Sequence, residues 1–379
     1  MKTHFKHGDR DRASDTALFR REVARVMAQS GEAACLLEEK ELRRGRVYRQ
    51  LWRVGDRDRG IVAKQLPRSR ARRERAVVRH LREAGWSGDI APRLLACFRE
   101  PDDVRVWHFY EDLGDWTLDQ EGTRPGDLLR PRDRGFLQPM QRRVEDARLA
   151  SVVRLVAQIH DAFAGHSCLP ELRRSTCDLG PRFLVVSVRR AIRALERLRT
   201  PRVTLCASRR AIRDRLLESL IELRSEEKAR IAQIEAIGGE ETLLHGDLSV
   251  RNALACPSGN GWNPRLIDWD HAGVGPVSYD LSNLLAQLPA CQRAEALDLY
   301  QELRSRPGRV WPAAREWNEL FDSAERARLA NTVIWLAAEA QDDAGQAFEQ
   351  MAQVSAWLAA LGRTLPTADP SCATQEVSS

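Results

Sequence analysis

Along the first third of the chain, apolar and polar positions alternate in short runs. Residues 34–42 (ACLLEEKEL), 46–54 (RVYRQLWRV) and 60–66 (GIVAKQL) read as strands. The middle run sets Val47 and Leu51 against arginine and glutamine with the period of two of a half-exposed strand. The stretch from Gly55 to Gly60 (GDRDRG) predicts a hairpin loop between the second and third runs. Residues 69–84 follow as a helix stopped by Gly85, and two more strands are predicted over 93–99 and 104–111. A helix over Thr16–Gln29, with Leu18, Val23, Val26 and Met27 as its apolar face, precedes them all. The expectation is a sheet of five strands with one helix between the third and fourth.

From residue 146 the period becomes helical, over 146–164, 183–199, 207–236, 279–304, 324–344 and 345–362. Residues 120–140, rich in Pro, Gly and Arg, read as a loop or mobile insertion. The division expected is a polar tail over 1–15, a sheet-bearing lobe over 16–112, a helical lobe over 113–363 and a disordered tail over 364–379.

Composition narrows the class. At 43% hydrophobic and 30% charged, the 379-residue chain can bury a sizeable core. Its longest apolar runs, such as Thr332–Ala338, fall far short of the roughly 18 residues a membrane span needs. The polar N-terminus has no apolar stretch suited to a secretory signal, so a soluble cytoplasmic protein is expected. The eight cysteines are scattered without a CxxC, as buried thiols would be; His160, His166, Cys168 and Cys177 match no common zinc spacing. Residues 1–100 carry a net +11 against −5 for the remainder, an asymmetry that suits phosphate or nucleic acid. Arginine outnumbers lysine 55 to 5, however, and aromatics are only 6%, so the basic excess by itself makes a weak case for nucleic acid. The scarcity of lysine implies that a lysine in an apolar strand is not interchangeable with arginine.

The densest chemistry lies in Leu243–Leu254 (LLHGDLSVRNAL) and Pro264–Asp270 (PRLIDWD). Two hydrophobic anchors hold a polar loop that projects Asp247 and Asn252, and a further strand ends in Asp268. Carboxylate and amide oxygens at strand ends suit a hard divalent cation such as Mg2+, with one carboxylate left to orient a hydroxyl.

The HGD-x4-N loop and the IDWD strand end resemble the catalytic loop and metal-binding strand of the protein-kinase-like fold, in the variant of the aminoglycoside phosphotransferase and choline kinase group of small-molecule kinases. The run Gly275–Leu285 (GPVSYDLSNLL) is similar to that group's Gly-Pro followed by Tyr-Asp-Leu opening a helix. The resemblance implies a bilobal α+β fold, with a small N-terminal antiparallel sheet lobe carrying one helix and a larger, mainly helical C-terminal lobe. It implies transfer of the γ-phosphoryl of ATP or GTP to a small-molecule alcohol. Asp247 would be the catalytic carboxylate, and Asn252 and Asp268 the Mg2+ ligands. Lys64 would contact the α- and β-phosphates with Glu74 as its helix partner, and the backbone of Tyr110, Glu111 and Asp112 would meet the adenine. Asp280 would brace the catalytic loop. Asp270 would either support the site or point to water, and His160 would be structural.

Two departures from the pattern stand out. The turn expected to cover the phosphates has Gly45 alone, so Arg43, Arg44 or Arg46 would supplement its amides. Asp280 comes only twelve positions after Asp268, too few for a segment that docks a peptide acceptor, which favours a small molecule. Residues 281–379 carry a net −5, with Glu339, Asp342, Asp343 and Glu349 close together. Such a stretch suits either a solvated helix face or a cationic acceptor, aminoglycoside- or amino-alcohol-like. Trp311, Trp317, Trp335 and Trp357 would then form either core or a cation–π wall. Two other readings are a catalytically silent kinase-like nucleotide-binding protein and a basic nucleic-acid-associated protein. The full set of Lys64, Asp247, Asn252 and Asp268 argues against the first, and the want of a helix-turn-helix or stacking aromatics against the second.

Overall fold

The alternating runs of the first third pair into one antiparallel sheet in the computed structural model, which describes residues 21, 23–25, 33–43, 45–86, 90–100, 104–119, 139–199, 204–259, 261–340 and 344–366. Strands β1 (Ala34–Arg43), β2 (Val47–Val54), β3 (Arg57–Pro67), β4 (Leu94–Arg99) and β5 (Arg105–Glu111) lie in the order β1-β2-β3-β5-β4, with helix α1 (Arg68–Glu83) between the third and fourth. The chain divides into two units. One takes the residues up to Trp116 together with Arg265–Asp270, and the other takes Thr117–Pro264 and the residues from His271 onward.

In the first unit the period of two sorts side chains to the two faces of the sheet. Ile61 and Ala63 of β3 join Trp52, Val54, Trp107 and Phe109 in one buried cluster, which also takes in Val23. Leu66 of β3 and Val106 of β5 pack instead against Ala71 of α1. Val23 is helical and fully buried, but the rest of the apolar face expected over 16–29 lies outside the described residues, as does the 120–138 part of the expected loop.

The loop expected over Gly55–Gly60 is corrected. β2 and β3 stay paired as far as Val54 opposite Arg57, leaving Gly55-Asp56 as a two-residue turn with Gly55 at φ +57°. Charged residues at 57–59 do not stop pairing because their side chains are exposed, and Asp58 forms an ion pair with Arg53 across the hairpin. Gly60 therefore serves as a point of close approach within β3, where a Cβ would come 2.9 Å from the Asp112 Cβ.

The second unit is largely helical: α2 (Pro139–Ala162), α3 (Leu169–Ser175), α4 (Pro181–Arg197), α5 (Ala207–Ser225), α6 (Glu227–Ile237), α7 (Ser278–Ala286), α8 (Ala290–Leu303), α9 (Ala314–Glu339) and α10 (Ala344–Ala360). Strands β6 (Cys177–Asp178), β7 (Thr242–Leu244) and β10 (Gly273–Gly275) form a small sheet in the order β6-β10-β7, and β8 (Ala253–Ser258) pairs with β9 (Gly261–Leu266). The core joins α4, α5, α9 and α10 through residues such as Leu195, Leu220, Val333 and Met351.

Several helix bounds differ from expectation. The helix expected over 207–236 breaks at Glu226, where tertiary ion pairs take over: buried Glu227 accepts from Arg189 at 2.9 Å, and Arg230 reaches Asp322 at 2.8 Å. The one expected over 279–304 is two helices, because Pro289 stands at the cap of the second. α9 begins ten residues before the expected 324, where the Glu316 carboxylate accepts from the Ala313 amide at 2.7 Å. Among the described residues no helix is long and apolar enough to cross a membrane.

Candidate active site

In the first unit, alternation along β3 turns Lys64 to the same side as Leu66, beneath α1, and the register sets it opposite His108 of β5. Its ammonium meets three carboxylates: Asp268 Oδ1 at 2.5 Å, Glu74 Oε1 at 3.5 Å and Asp270 Oδ1 at 4.0 Å. Burial by itself would lower the lysine pKa, but the charges of Glu74, Asp268 and Asp270 outweigh it and hold the ammonium well above the usual lysine range. Glu74 is the mirror case. Burial pushes its carboxyl up, and the Lys64 charge with the His108 hydrogen bond brings it below the ordinary value. Asp270 is pushed up to about 8, first by burial and then by the hydrogen bond and charge of Asp268. Arg70 pairs with its Oδ2 at 3.3 Å, and Arg73 donates to its backbone carbonyl at 2.7 Å, so Asp270 faces a polar cluster and not water.

Asp268 is held at φ +69°, the one described non-glycine residue in the left-handed region. Such a conformation costs about 1–2 kcal/mol and is found where surrounding structure imposes it, often at functional sites.

In the second unit, the loop after β7 hangs on one buried carboxylate. Asp280, in the first turn of α7, accepts from the His245 amide at 2.7 Å and the Gly246 amide at 2.9 Å. This is the bracing expected of it. Gly246 sits at φ +81°, and a Cβ there would lie 2.0 Å from the His271 carbonyl oxygen, so only glycine fits between the loop and the backbone at His271. His160, at the end of α2, contacts Asp280 through Nε2 at 3.3 Å and Tyr300 through Nδ1 at 2.8 Å. A carboxylate can only accept, so Nε2 carries the proton and the Tyr300 hydroxyl donates to Nδ1. Burial, above all, lowers the His160 pKa, in keeping with a neutral ring. The loop so anchored presents Asp247, whose Oδ2 accepts from the Asn252 amide at 3.0 Å and whose Oδ1 accepts from Asn283 at 3.4 Å. Asn252 also donates to the Asp247 backbone carbonyl at 2.8 Å, which closes the loop on itself.

The structure joins Lys64, Glu74 and Asp268 in one cluster, and Asp247 with Asn252 in another. Gly45 forms a turn at φ +64°, but its amide donates to Glu41 Oε1 at 2.5 Å, and the Arg46 amide donates to the Arg43 carbonyl at 2.9 Å. Arg44 lies outside the described residues. The Glu111 amide donates to the Arg93 carbonyl at 3.1 Å and the Asp112 amide to the Gly60 carbonyl at 3.3 Å, while the Asp112 carboxylate pairs with Arg49 at 3.0 Å. The Tyr110 side chain turns back to His108, 2.8 Å away.

Sequence reasoning missed His108, Arg70 and Asn283. His108 stands out only once β5 is set in register with β3. The i, i+3 spacing of Asp280 and Asn283 at the start of α7 was the available signal for Asn283.

Of the tryptophans proposed for a cation–π wall, Trp317 is buried and stacks on Trp311 and Phe321, and Trp357 packs on the helical core; Trp335 is exposed. Exposed Glu339 follows Trp335 one turn on, whereas Asp342 and Asp343 lie outside the described residues. Both ring nitrogens of His160 are engaged, and no group of three or more His, Cys, Asp or Glu side chains among the described residues forms a metal centre.

No curated protein matches the sequence. Among solved structures the chain is similar to a spectinomycin phosphotransferase in complex with ADP and spectinomycin, at 10% identity over 90% of this chain and 98% of that one, with a TM-score of 0.52. It is similar to an ethanolamine kinase of Plasmodium vivax, at 12% identity over 93% and 95% of the two chains, with a TM-score of 0.55. A choline kinase of Cryptosporidium parvum gives 12% identity over 91% and 96%, with a TM-score of 0.50. At these identities the likeness shows the fold, the α+β kinase-like one. The profile of the phosphotransferase enzyme family (APH) matches residues 39–317, well over half of the sequence, and the chain belongs to that family.

Proposed function

We propose that this phosphotransferase moves the γ-phosphoryl of ATP to an alcohol hydroxyl of a small molecule. The observation that carries the reading is the Asp247 carboxylate, offered by a loop that hangs on buried Asp280 and held in place by two side-chain amides.

In the proposed mechanism Lys64, steadied by Glu74, holds the α- and β-phosphates. Asp247 accepts a hydrogen bond from the acceptor hydroxyl, orients it for in-line attack and takes its proton late in the transfer. The donor chemistry fits magnesium. Asn252 spends its amide hydrogens on Asp247, which turns its carbonyl oxygen into the available ligand, and Asp268 supplies a carboxylate; both are the hard oxygens Mg2+ prefers. Bound Mg2+ neutralises charge on the phosphate oxygens. Because the amides of Glu111 and Asp112 are already paired, adenine recognition at Tyr110–Asp112 rests on main-chain carbonyls. With the amides of Gly45 and Arg46 also engaged, side chains rather than the turn's backbone cover the phosphates.

The acceptor is a small molecule, and an amino alcohol or aminoglycoside is the class to try first. The neighbours named for ethanolamine, choline and spectinomycin support it, together with exposed Trp335 and Glu339 one turn apart on α9.

The test is ADP release from Mg-ATP, and GDP release from Mg-GTP, against pooled amino alcohols, aminoglycosides, sugars and nucleosides, with Asp247→Asn alongside. Acceptor-dependent release by the wild type that the variant lacks is the expected result. A protein that binds neither Mg-nucleotide ends the reading.

A further inference from the structure

His108 has no task in the mechanism above, yet it is the histidine closest to the phosphate lysine in the sheet. It is fully buried on β5, opposite Lys64 on β3. Apolar residues occupy the neighbouring positions on the α1 side of the sheet, Leu66 and Val106 among them, so packing by itself would be met by leucine. A histidine here needs polar partners, and its Nδ1 has them. Nδ1 lies 3.2 Å from Glu74 Oε2 and 2.8 Å from the Tyr110 hydroxyl.

The partners settle the proton. Glu74 is a carboxylate that can only accept, so Nδ1 carries the hydrogen, which it shares between Glu74 Oε2 and the oxygen of the Tyr110 hydroxyl. The charge balance agrees. Burial works to lower the His108 pKa, but neighbouring Cys97 and Glu74 prevail and raise it, while Glu74 stays below its ordinary value. Glu74 is thus gripped at both oxygens, Oε1 by Lys64 and Oε2 by His108.

The grip on Oε2 matters because of how Lys64 is held. Its closest partner is Asp268 at 2.5 Å, and Glu74 stands a further ångström away at 3.5 Å. A ligand at Asp268 draws on the oxygen that now meets the ammonium, and Glu74 must then keep Lys64 in place. A glutamate at the middle of a helix has three rotatable side-chain bonds, and a hydrogen bond to its second oxygen removes most of that freedom.

We propose that His108 is a positioning residue for the nucleotide, holding the Glu74 carboxylate through Nδ1–H so that Glu74 keeps Lys64 set for the phosphates. The inference rests on the phosphotransferase reading above. Acting through Glu74, His108 strengthens nucleotide binding and leaves the transfer step itself unchanged.

The experiment measures Mg-ATP affinity, KM and kcat for the full chain and for His108→Leu, His108→Asn and His108→Gln, with thermal melts of each. Asparagine places its amide nitrogen where Nδ1 stands, and glutamine reaches past it. Loss of a charge-assisted hydrogen bond predicts about a tenfold rise in Kd and KM for Leu and Gln, with kcat within about threefold of wild type and Asn close to wild type. In a Glu74→Gln background His108→Leu is expected to add less than about twofold, since the two act as one unit. If the leucine variant fails to fold, the asparagine and glutamine pair carries the comparison. Unchanged nucleotide affinity in a folded variant, no difference between Asn and Gln, or full additivity with Glu74→Gln each overturns the proposal while wild-type activity preserves the parent reading. A wild type that neither binds nor turns over Mg-nucleotide overturns both.

Discussion

Asp247 and Asp280 are thirty-three positions apart, and their roles are separable by substitution. Asp247→Asn keeps the side-chain shape and the hydrogen bonds available to an oxygen, so it should leave nucleotide affinity within about twofold while reducing acceptor-dependent ADP release by about 10²- to 10⁴-fold. Asp280 is buried and structural, and its signature is stability against pH. Burial pushes its carboxyl up, but the His160 hydrogen bond, the nearby His160 and His245 rings and the Gly246 amide outweigh it and leave it below the ordinary value. A depressed carboxyl contributes stability above the unfolded value, about 3.9, and that contribution is lost as pH falls through the lower folded value. Asp280→Asn should therefore be less stable at pH 7 by about 2–3 kcal/mol, with a flatter acid limb below about pH 4, read from urea midpoints at a series of pH values. An acid limb as steep as that of the wild type would show that Asp280 is not the group responsible.

Among the elements, the turn at Gly45 and the loop at Gly246 make an instructive pair. Both glycines have positive φ, +64° and +81°, but open space surrounds the first and the His271 carbonyl crowds the second. Alanine at 45 meets only the intrinsic left-handed penalty, about 1 kcal/mol. Alanine at 246 adds a backbone clash at 2.0 Å and should cost at least about 3 kcal/mol, with turnover abolished. Chemical denaturation of the two variants side by side checks the contrast. Strands β2 and β3 were legible because alternation survives in them, and the loop after β7 was legible because its polar residues stand between apolar anchors. The helix ends were less so. Nothing in the local pattern marks Glu226 as a break, since the cause is Arg189 and Asp322, distant in sequence.

At the scale of the whole molecule, the readings differ in which ligand stabilises the protein. A nucleotide at 100 times its Kd stabilises a folded protein by about 2.7 kcal/mol. Mg-ATP should therefore raise the melting temperature by several degrees, and an oligonucleotide at matched phosphate concentration should not. The reverse pattern, with binding that weakens steeply in salt, would favour the nucleic-acid reading prompted by the +11 of residues 1–100. The structure accounts for part of that excess within the first unit. Arg49, Arg53 and Arg70 there are tied to Asp112, Asp58 and Asp270 and are not gathered as a bare basic surface.

The sequence by itself determined the class of the fold and the candidate chemistry, because both are written in local terms. Alternation, helical periodicity, glycine at tight turns and the spacing of Asp247, Asn252 and Asp268 each need only about twenty neighbouring residues to be read. Lys64 was legible for a related reason, since an isolated lysine in an arginine-rich chain has to answer for its place. Tertiary structure alone decided which strand position faces Lys64, and so that His108 meets Glu74. It also decided that Asp270 joins Arg70 and Lys64, that Asn283 supports Asp247, and that the amides of Gly45, Glu111 and Asp112 are already engaged. The reason is physical. Strand register, helix packing and buried ion pairs join groups up to two hundred residues apart, and a hydrogen bond depends on a few tenths of an ångström that no pattern along the chain encodes.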